Sequence, residues 1–304
     1  MNIAVFTPAL PRRASLLVPA LLACYLVWGS TYLAIRLALV SFPPFFQMGT
    51  RFLLAGVLLM AWVRWRGGPA PTRLQWRNAL VIGSLMLGGG MGLVANAERY
   101  IGSGLAAAFI AVVPILVCGW GLLFGQRPGR LELAGTVVGL GGVLLLVRGA
   151  GFSAQPVGVA CMAGATLCWS LGSVLSSSQR PGAPPLFALA PGAGGFASEM
   201  LCGGAVLMLL SLAMGEQPVW PPQPLAVAAW LYLVAMGSLV AFSAYLYLLA
   251  HTTPAIATSY CFVNPLIALL LGVVFASEVV TGGEWLACGV ILVGVLLIFR
   301  GKKT

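Results

Sequence analysis

Ionisable chemistry is scarce in this chain. The 304 residues hold six acidic side chains, all of them Glu, and one histidine, His251. Hydrolytic or group-transfer chemistry needs a nucleophile beside a base, or a cluster of metal ligands. A lone histidine at the edge of an apolar run supplies neither, so the sequence reads as no enzyme, with no metal site and no cofactor. The seven cysteines (24, 118, 161, 168, 202, 261 and 288) all fall within apolar runs and form no CxxC pair. They read as small packing residues and not as disulfides or ligands.

What remains is a set of aromatic and neutral polar side chains suited to holding a solute rather than transforming it. Trp28 (in VWGSTY) and Trp169 (in CWSLGS) each stand about twelve residues into an apolar run, near mid-membrane and away from the interfacial belts where Trp is common. Two such indoles can form opposite walls of a cavity and stack on an apolar solute; filling a helix interface is the competing use. Ser238, Phe242 and Tyr245 share one helical face, as do Asn96 and Tyr100, four residues apart. Tyr260 and Asn264 lie about one turn apart beside a mid-run proline. Arg51 is expected to reach Glu98 as an ion pair at the outer mouth. That pair would gate the vestibule, take the two charges of a zwitterion, or stand as an interfacial salt bridge of little worth. Glu199 occupies Arg51's place in the second half, with Arg180 or the neighbourhood of His251 as its expected partner. Pro114 and Pro265 read as kinks or hinges.

The elements that must position these residues are membrane helices. The composition is 60% hydrophobic and 7% charged, with 39 Gly. Apolar runs fall at roughly 16–39, 45–63, 79–97, 103–124, 131–147, 157–178, 195–214, 225–248, 254–275 and 284–300, each long enough to cross about 30 Å of hydrocarbon. Lipid cannot satisfy backbone amides, so such runs are helices. The expected fold is therefore all-α and polytopic, with ten spans and both termini on one side. With the N-terminus cytoplasmic, 12 of the 16 Lys and Arg lie on the inside (Arg12, Arg13, Arg64, Arg66, Arg73, Arg77, Arg127, Arg130, Arg180, Arg300, Lys302 and Lys303), as the positive-inside rule requires. The same rule accounts for the formal net charge of +10 without nucleic acid as a partner.

The runs also repeat. SGLAAAFIAVVPILVCGWGLLFGQR (103–127) is answered by TPAIATSYCFVNPLIALLLGVVFASE (253–278), with Pro114 and Pro265 151 positions apart. GLGGVLLLVRG (139–149) is answered by VILVGVLLIFRG (290–301). The expected domains are two five-helix repeats, 16–147 and 157–300. Because five crossings end on the opposite side, the second repeat is inverted. Inverted repeats around a central cavity are the architecture of alternating access.

The motifs LVWGSTYLAIR (26–36), RFLLAG (51–56), ERYIGSGLAAAFIAVVP (98–114), ATSYCFVNPLIALLLG (257–272) and GVILVGVLLI (289–298), in this order, resemble the drug/metabolite transporter superfamily. The likeness is to its ten-helix EamA-type exporters of the bacterial inner membrane. The resemblance covers residues 16–300 and implies a basket of ten helices exporting small organic solutes. Combined with the neutral, aromatic candidate cavity, it points to export of small amphipathic solutes, foremost aromatic and other neutral amino acids. No carboxylate is expected at mid-membrane, so facilitated efflux is the simpler energetic reading. A proton-coupled drug or metabolite pump and a lipid flippase are the alternatives. The partners implied are the solute and the lipid bilayer, with monomer and homodimer both open.

Overall fold

The computed structural model describes residues 16–125, 128–148, 155–177, 184–276 and 281–301, and among these the regular elements are helical. The helices are α1 (Leu17–Ala38), α2 (Pro44–Trp65), α3 (Arg73–Ala97), α4 in two pieces (Ser103–Ile110 and Val113–Leu123) and α5 (Arg130–Arg148). There follow α6 (Pro156–Ser176), α7 (Ala193–Ala213), α8 (Pro224–His251), α9 in two pieces (Pro254–Ala257 and Tyr260–Ala276) and α10 (Gly282–Arg300). Seven of them are long and apolar enough to cross a membrane: α1, α2, α3, the stretch Leu105–Leu123, α6, α7 and α8.

Helix starts follow from local chemistry. Proline opens α2, α6, α8 and α9, where its missing N–H costs no intrahelical bond. Thr72 and Gln75 form a reciprocal capping box ahead of α3. The α2 start is capped from across the fold: Glu216, beyond the end of α7, accepts from the Phe45 and Phe46 amides at 3.2 and 2.8 Å. Ser41 also binds this far loop, accepting from Val219 N through its carbonyl and from Gln223 N through its hydroxyl.

In lipid, helices gain little from apolar contact alone, so close approach through small residues carries the packing. A Cβ on Gly83 of α3 would stand 2.8 Å from both the Glu199 carbonyl and the Gly203 amide of α7. One on Gly135 of α5 would stand 2.6 Å from the Gly294 carbonyl of α10. Backbones therefore touch in these pairs. The long pairings are α2 with α7 and α5 with α10, while α1 packs against α8 and α9, and α6 against α3 and α4. Trp28 and Trp169, on α1 and α6, accordingly sit at the centre.

Three helices widen to π-type winding: Ala23–Val27 in α1, Ser84–Met91 in α3 and Leu233–Phe242 in α8. None of the three is signalled by the apolar pattern. The segments in α3 and α8 lie 151 positions apart at their C-terminal ends. Such segments free or re-aim backbone groups and recur at functional sites.

The prolines act differently from each other. Pro114 cannot donate to the Ile110 carbonyl, and α4 breaks there, restarting at Val113. Pro265 lies inside a continuous helix; α9 breaks instead at Thr258–Ser259, six residues earlier. The two expected hinges are thus one break at a proline and one break displaced from it.

Candidate functional site

The midpoint of the fold is a ring cluster. Trp28 meets Trp169 edge-on with centroids 5.5 Å apart, Tyr245 at 5.2 Å and Tyr260 at 4.7 Å. Trp169 meets Tyr245 at 5.3 Å and Phe242 at 6.4 Å, and Phe242 meets Phe52 at 5.9 Å. These are the edge-to-face and tilted geometries that ring quadrupoles favour. Trp28 and Trp169 are both buried, 5% exposed. The structure therefore brings together Trp28, Trp169, Phe242, Tyr245 and Tyr260, from four helices. It corrects one expectation: the two indoles touch each other instead of standing as opposite walls, because these long side chains reach across the centre from helices that pack on other neighbours, α1 on α8 and α9 and α6 on α3 and α4.

Beside the cluster lies a cavity of about 30 Å³ lined by Trp28, Thr31, Tyr32, Ile35, Trp169 and Tyr260, among others. That volume holds about two waters and is far below the roughly 300–1,000 Å³ of small-molecule pockets. In this conformation the rings have closed on the space, and admitting a solute requires the rings to part. Thr31, Tyr32 and Ile35 escaped the sequence reading although a signal existed. They continue the Trp28 face at three, four and seven residues.

Hydrogen bonds fix the rings from behind. The Tyr245 hydroxyl pairs with Ser173 Oγ at 2.7 Å, and Tyr25 with Ser259 Oγ at 2.7 Å. Trp28 Nε1 donates to the Gly237 carbonyl at 3.3 Å, inside the π-type segment of α8. Among the described residues Trp169 Nε1 has no acceptor in hydrogen-bond geometry, though the Tyr245 hydroxyl stands near it. Glycine lets helices close in here: a Cβ on Gly90 would stand 3.0 Å from the Trp169 ring.

Arg51 lies one step further out, fully buried, with its guanidinium 4.6 Å from the Phe52 ring centroid. Its Nε donates to Ser238 Oγ at 2.7 Å and its Nη1 to Met48 Sδ at 3.4 Å, while Nη2 has no partner among the described residues. The expected Arg51–Glu98 ion pair is absent. The Arg51 side chain turns to α8, and both Glu98 oxygens, buried at the end of α3, accept no hydrogen bond from the described residues. Spacing along two helices gave reach but not direction.

The remaining candidates lie outside the cluster. Asn96 donates to Cys161 Sγ at 3.5 Å, and Tyr100 packs on Gly158, so this pair faces α6 away from the cavity lining. Asn264 is buried with neither polar atom hydrogen-bonded, and the Tyr32 hydroxyl stands near it. Glu199 is buried in α7 with neither oxygen partnered among the described residues. Its expected partner Arg180 lies outside the described residues, and His251 is exposed, stacked on Tyr247 at 4.1 Å.

The described residues thus form a lipid-compatible helical bundle whose centre gathers aromatic rings and polar groups, an arrangement suited to holding a solute. The EamA-like transporter family matches residues 16–148 and again 156–300. The uncharacterized inner membrane transporter YedA of Escherichia coli (strain K12) is 39% identical over 284 residues, covering 93% of this chain and 90% of that protein. Protein PecM of Dickeya dadantii is 28% identical over 90% of this chain and 86% of its own length. A solved crystal structure, 23% identical, superposes with a TM-score of 0.74 over 95% of this chain and 99% of that one, a likeness of fold. The chain belongs to the EamA-like transporter family.

Proposed function

We propose that the protein exports small amphipathic solutes, foremost aromatic and other neutral amino acids, across the bacterial inner membrane by alternating access. The observation that carries this reading is the closed ring cluster where Trp28 of α1 meets Trp169 of α6. It offers a solute stacking faces, the Trp169 indole N–H beside the Tyr245 hydroxyl and a pocket too small until helices move.

In this reading the chain is two inverted repeats, 16–147 and 157–300, with ten crossings and both termini cytoplasmic. The packing supports it: α1 nests against α8 and α9 as α6 nests against α3 and α4, and α2–α7 and α5–α10 pair across the halves. A rocking of one repeat against the other would open the cluster to each side in turn, with Pro114 and Pro265 near the breaks in α4 and α9 that absorb the motion. Trp28, Trp169, Phe242, Tyr245 and Tyr260 contact the solute; Asn96 and Tyr100, which face α6, and Asn264, behind Tyr32, would join only in another conformation. The rings offer no titratable carboxylate, which favours facilitated efflux over proton coupling.

The test is uptake of labelled Phe, Trp, Met, Thr and Lys into proteoliposomes holding the purified protein, without an imposed proton gradient. Phe, Trp and Met are expected to move faster than Lys. Equal rates with empty vesicles for all five would refute the amino-acid reading.

A further inference from the structure

A guanidinium buried in a membrane helix needs a reason. Arg51 sits about 10 Å along α2 from its start and is 1% exposed. Holding an ion in such surroundings without a counter-ion costs several kcal/mol. No carboxylate among the described residues pairs with it: its contacts are a hydroxyl, a thioether and a ring face. All three are weak substitutes for an anion. Among the described residues the two Nη2–H donors have no acceptor.

The direction of that free edge is informative. A Cβ built on Gly237 would meet Arg51 Nη2 at 3.0 Å and the Thr31 methyl at 3.3 Å. Gly237, Thr31 and Nη2 thus share one point in space, and Thr31 lines the cavity beside the ring cluster. The Gly237 carbonyl also accepts from Trp28 at 3.3 Å, at the long end for an N–H···O bond. Shifting α1 off Gly237 breaks that bond and joins the cavity to the free guanidinium edge. Ser238, the next residue of the widened segment, holds Nε and so sets the plane of the fork.

We propose that Arg51 is the anion-recognising group of the cavity, taking a carboxylate on Nη2 while the solute's apolar body lies among the rings. This rests on the aromatic-cavity reading above and narrows it. The substrates are apolar or aromatic molecules bearing one carboxylate, and the solute's ammonium group contributes little. A carboxylate matches the planar fork of a guanidinium. One cation amid rings suits a monoanion with an apolar body better than a phosphate dianion.

The experiment is ligand titration of the full-length protein in nanodiscs, reading melting temperature against concentration for L-phenylalanine, 3-phenylpropionate and phenethylamine. These share a ring and differ in the carboxylate. Wild type is expected to bind the first two at least about tenfold tighter than the amine, the worth of one charge-assisted hydrogen bond. Arg51→Gln is expected to erase that difference by weakening the two carboxylates alone, with its ligand-free melting temperature equal to or above wild type. Arg51→Lys, which keeps the charge but not the fork, and Ser238→Ala are expected to weaken the carboxylates several-fold and leave the amine unchanged. They carry the test should Arg51→Gln not fold.

If all three ligands bind wild type equally, the Arg51 proposal falls while the aromatic cavity stands. If every variant loses all three ligands alike and melts lower, Arg51 is a packing residue and the proposal is overturned. If no ligand binds wild type, the aromatic-cavity reading fails and takes the proposal with it.

Discussion

Trp28→Ala separates a binding wall from a packing residue. Trp28 meets Trp169, Tyr245 and Tyr260 with centroids 5.5, 5.2 and 4.7 Å away. Each ring pair is worth about 0.5–1.5 kcal/mol beyond its buried area, so the loss of three sums to about 1.5–4.5 kcal/mol of stability. That range overlaps the ~3–5 kcal/mol usual for Trp→Ala in a packed interior. A phenyl solute loses one such contact, which weakens binding roughly two- to tenfold. The assay is melting temperature of the purified protein against L-phenylalanine concentration. A ligand raises stability by RT ln(1 + [L]/Kd), so the dose dependence yields Kd separately from the lower starting melting temperature. Trp28→Phe, which keeps a ring, is expected to bind nearer to wild type. The reasoning is refuted if Trp28→Ala melts lower but its dose curve superimposes on that of wild type, for then the indole only packs.

Three further outcomes follow from the geometry. Gly83→Ala forces a methyl to within 2.8 Å of backbone atoms of α7, which cannot yield as a side chain would; a loss of about 1–3 kcal/mol is expected, and an unchanged melting temperature would show the α3–α7 contact to be looser. Glu199→Leu removes two buried oxygens without partners and is expected to stabilise the protein by about 1–3 kcal/mol, the cost of an unsatisfied polar group, whereas a lower melting temperature would reveal a bound partner. Transport is expected to ignore an imposed proton gradient in wild type and in Glu98→Gln; gradient-driven uptake that vanishes in Glu98→Gln would establish proton coupling instead.

How far the sequence reached is visible residue by residue. Continuous apolar runs bounded by Pro and Gly located the helices, because lipid leaves the backbone no other way to satisfy its amides. The repeat, as read from the sequence, assigned Trp28 and Trp169 corresponding positions, and their rings lie 5.5 Å apart. That they touch was not legible, since it depends on which neighbours α1 and α6 pack against and how far their side chains then reach. The widened segment Leu233–Phe242 is hidden for a different reason. Its residues read as an ordinary apolar helix, yet it places Gly237 under the Trp28 indole and Ser238 under Arg51. The Arg51–Glu98 pairing failed because periodicity gives a residue's face and depth but not which helix lies opposite. Thr31, Tyr32 and Ile35 were legible but passed over.

The central claim is that a solute enters among the rings around Trp28 and Trp169. Fluorine NMR of protein labelled with 5-fluorotryptophan tests this directly, with resonances assigned through single Trp→Phe variants. On addition of L-phenylalanine the Trp28 and Trp169 signals are expected to shift, while those of the exposed Trp62, Trp65, Trp220 and Trp285 stay in place. Shifts confined to the exposed four, or none at saturating ligand, would contradict the account.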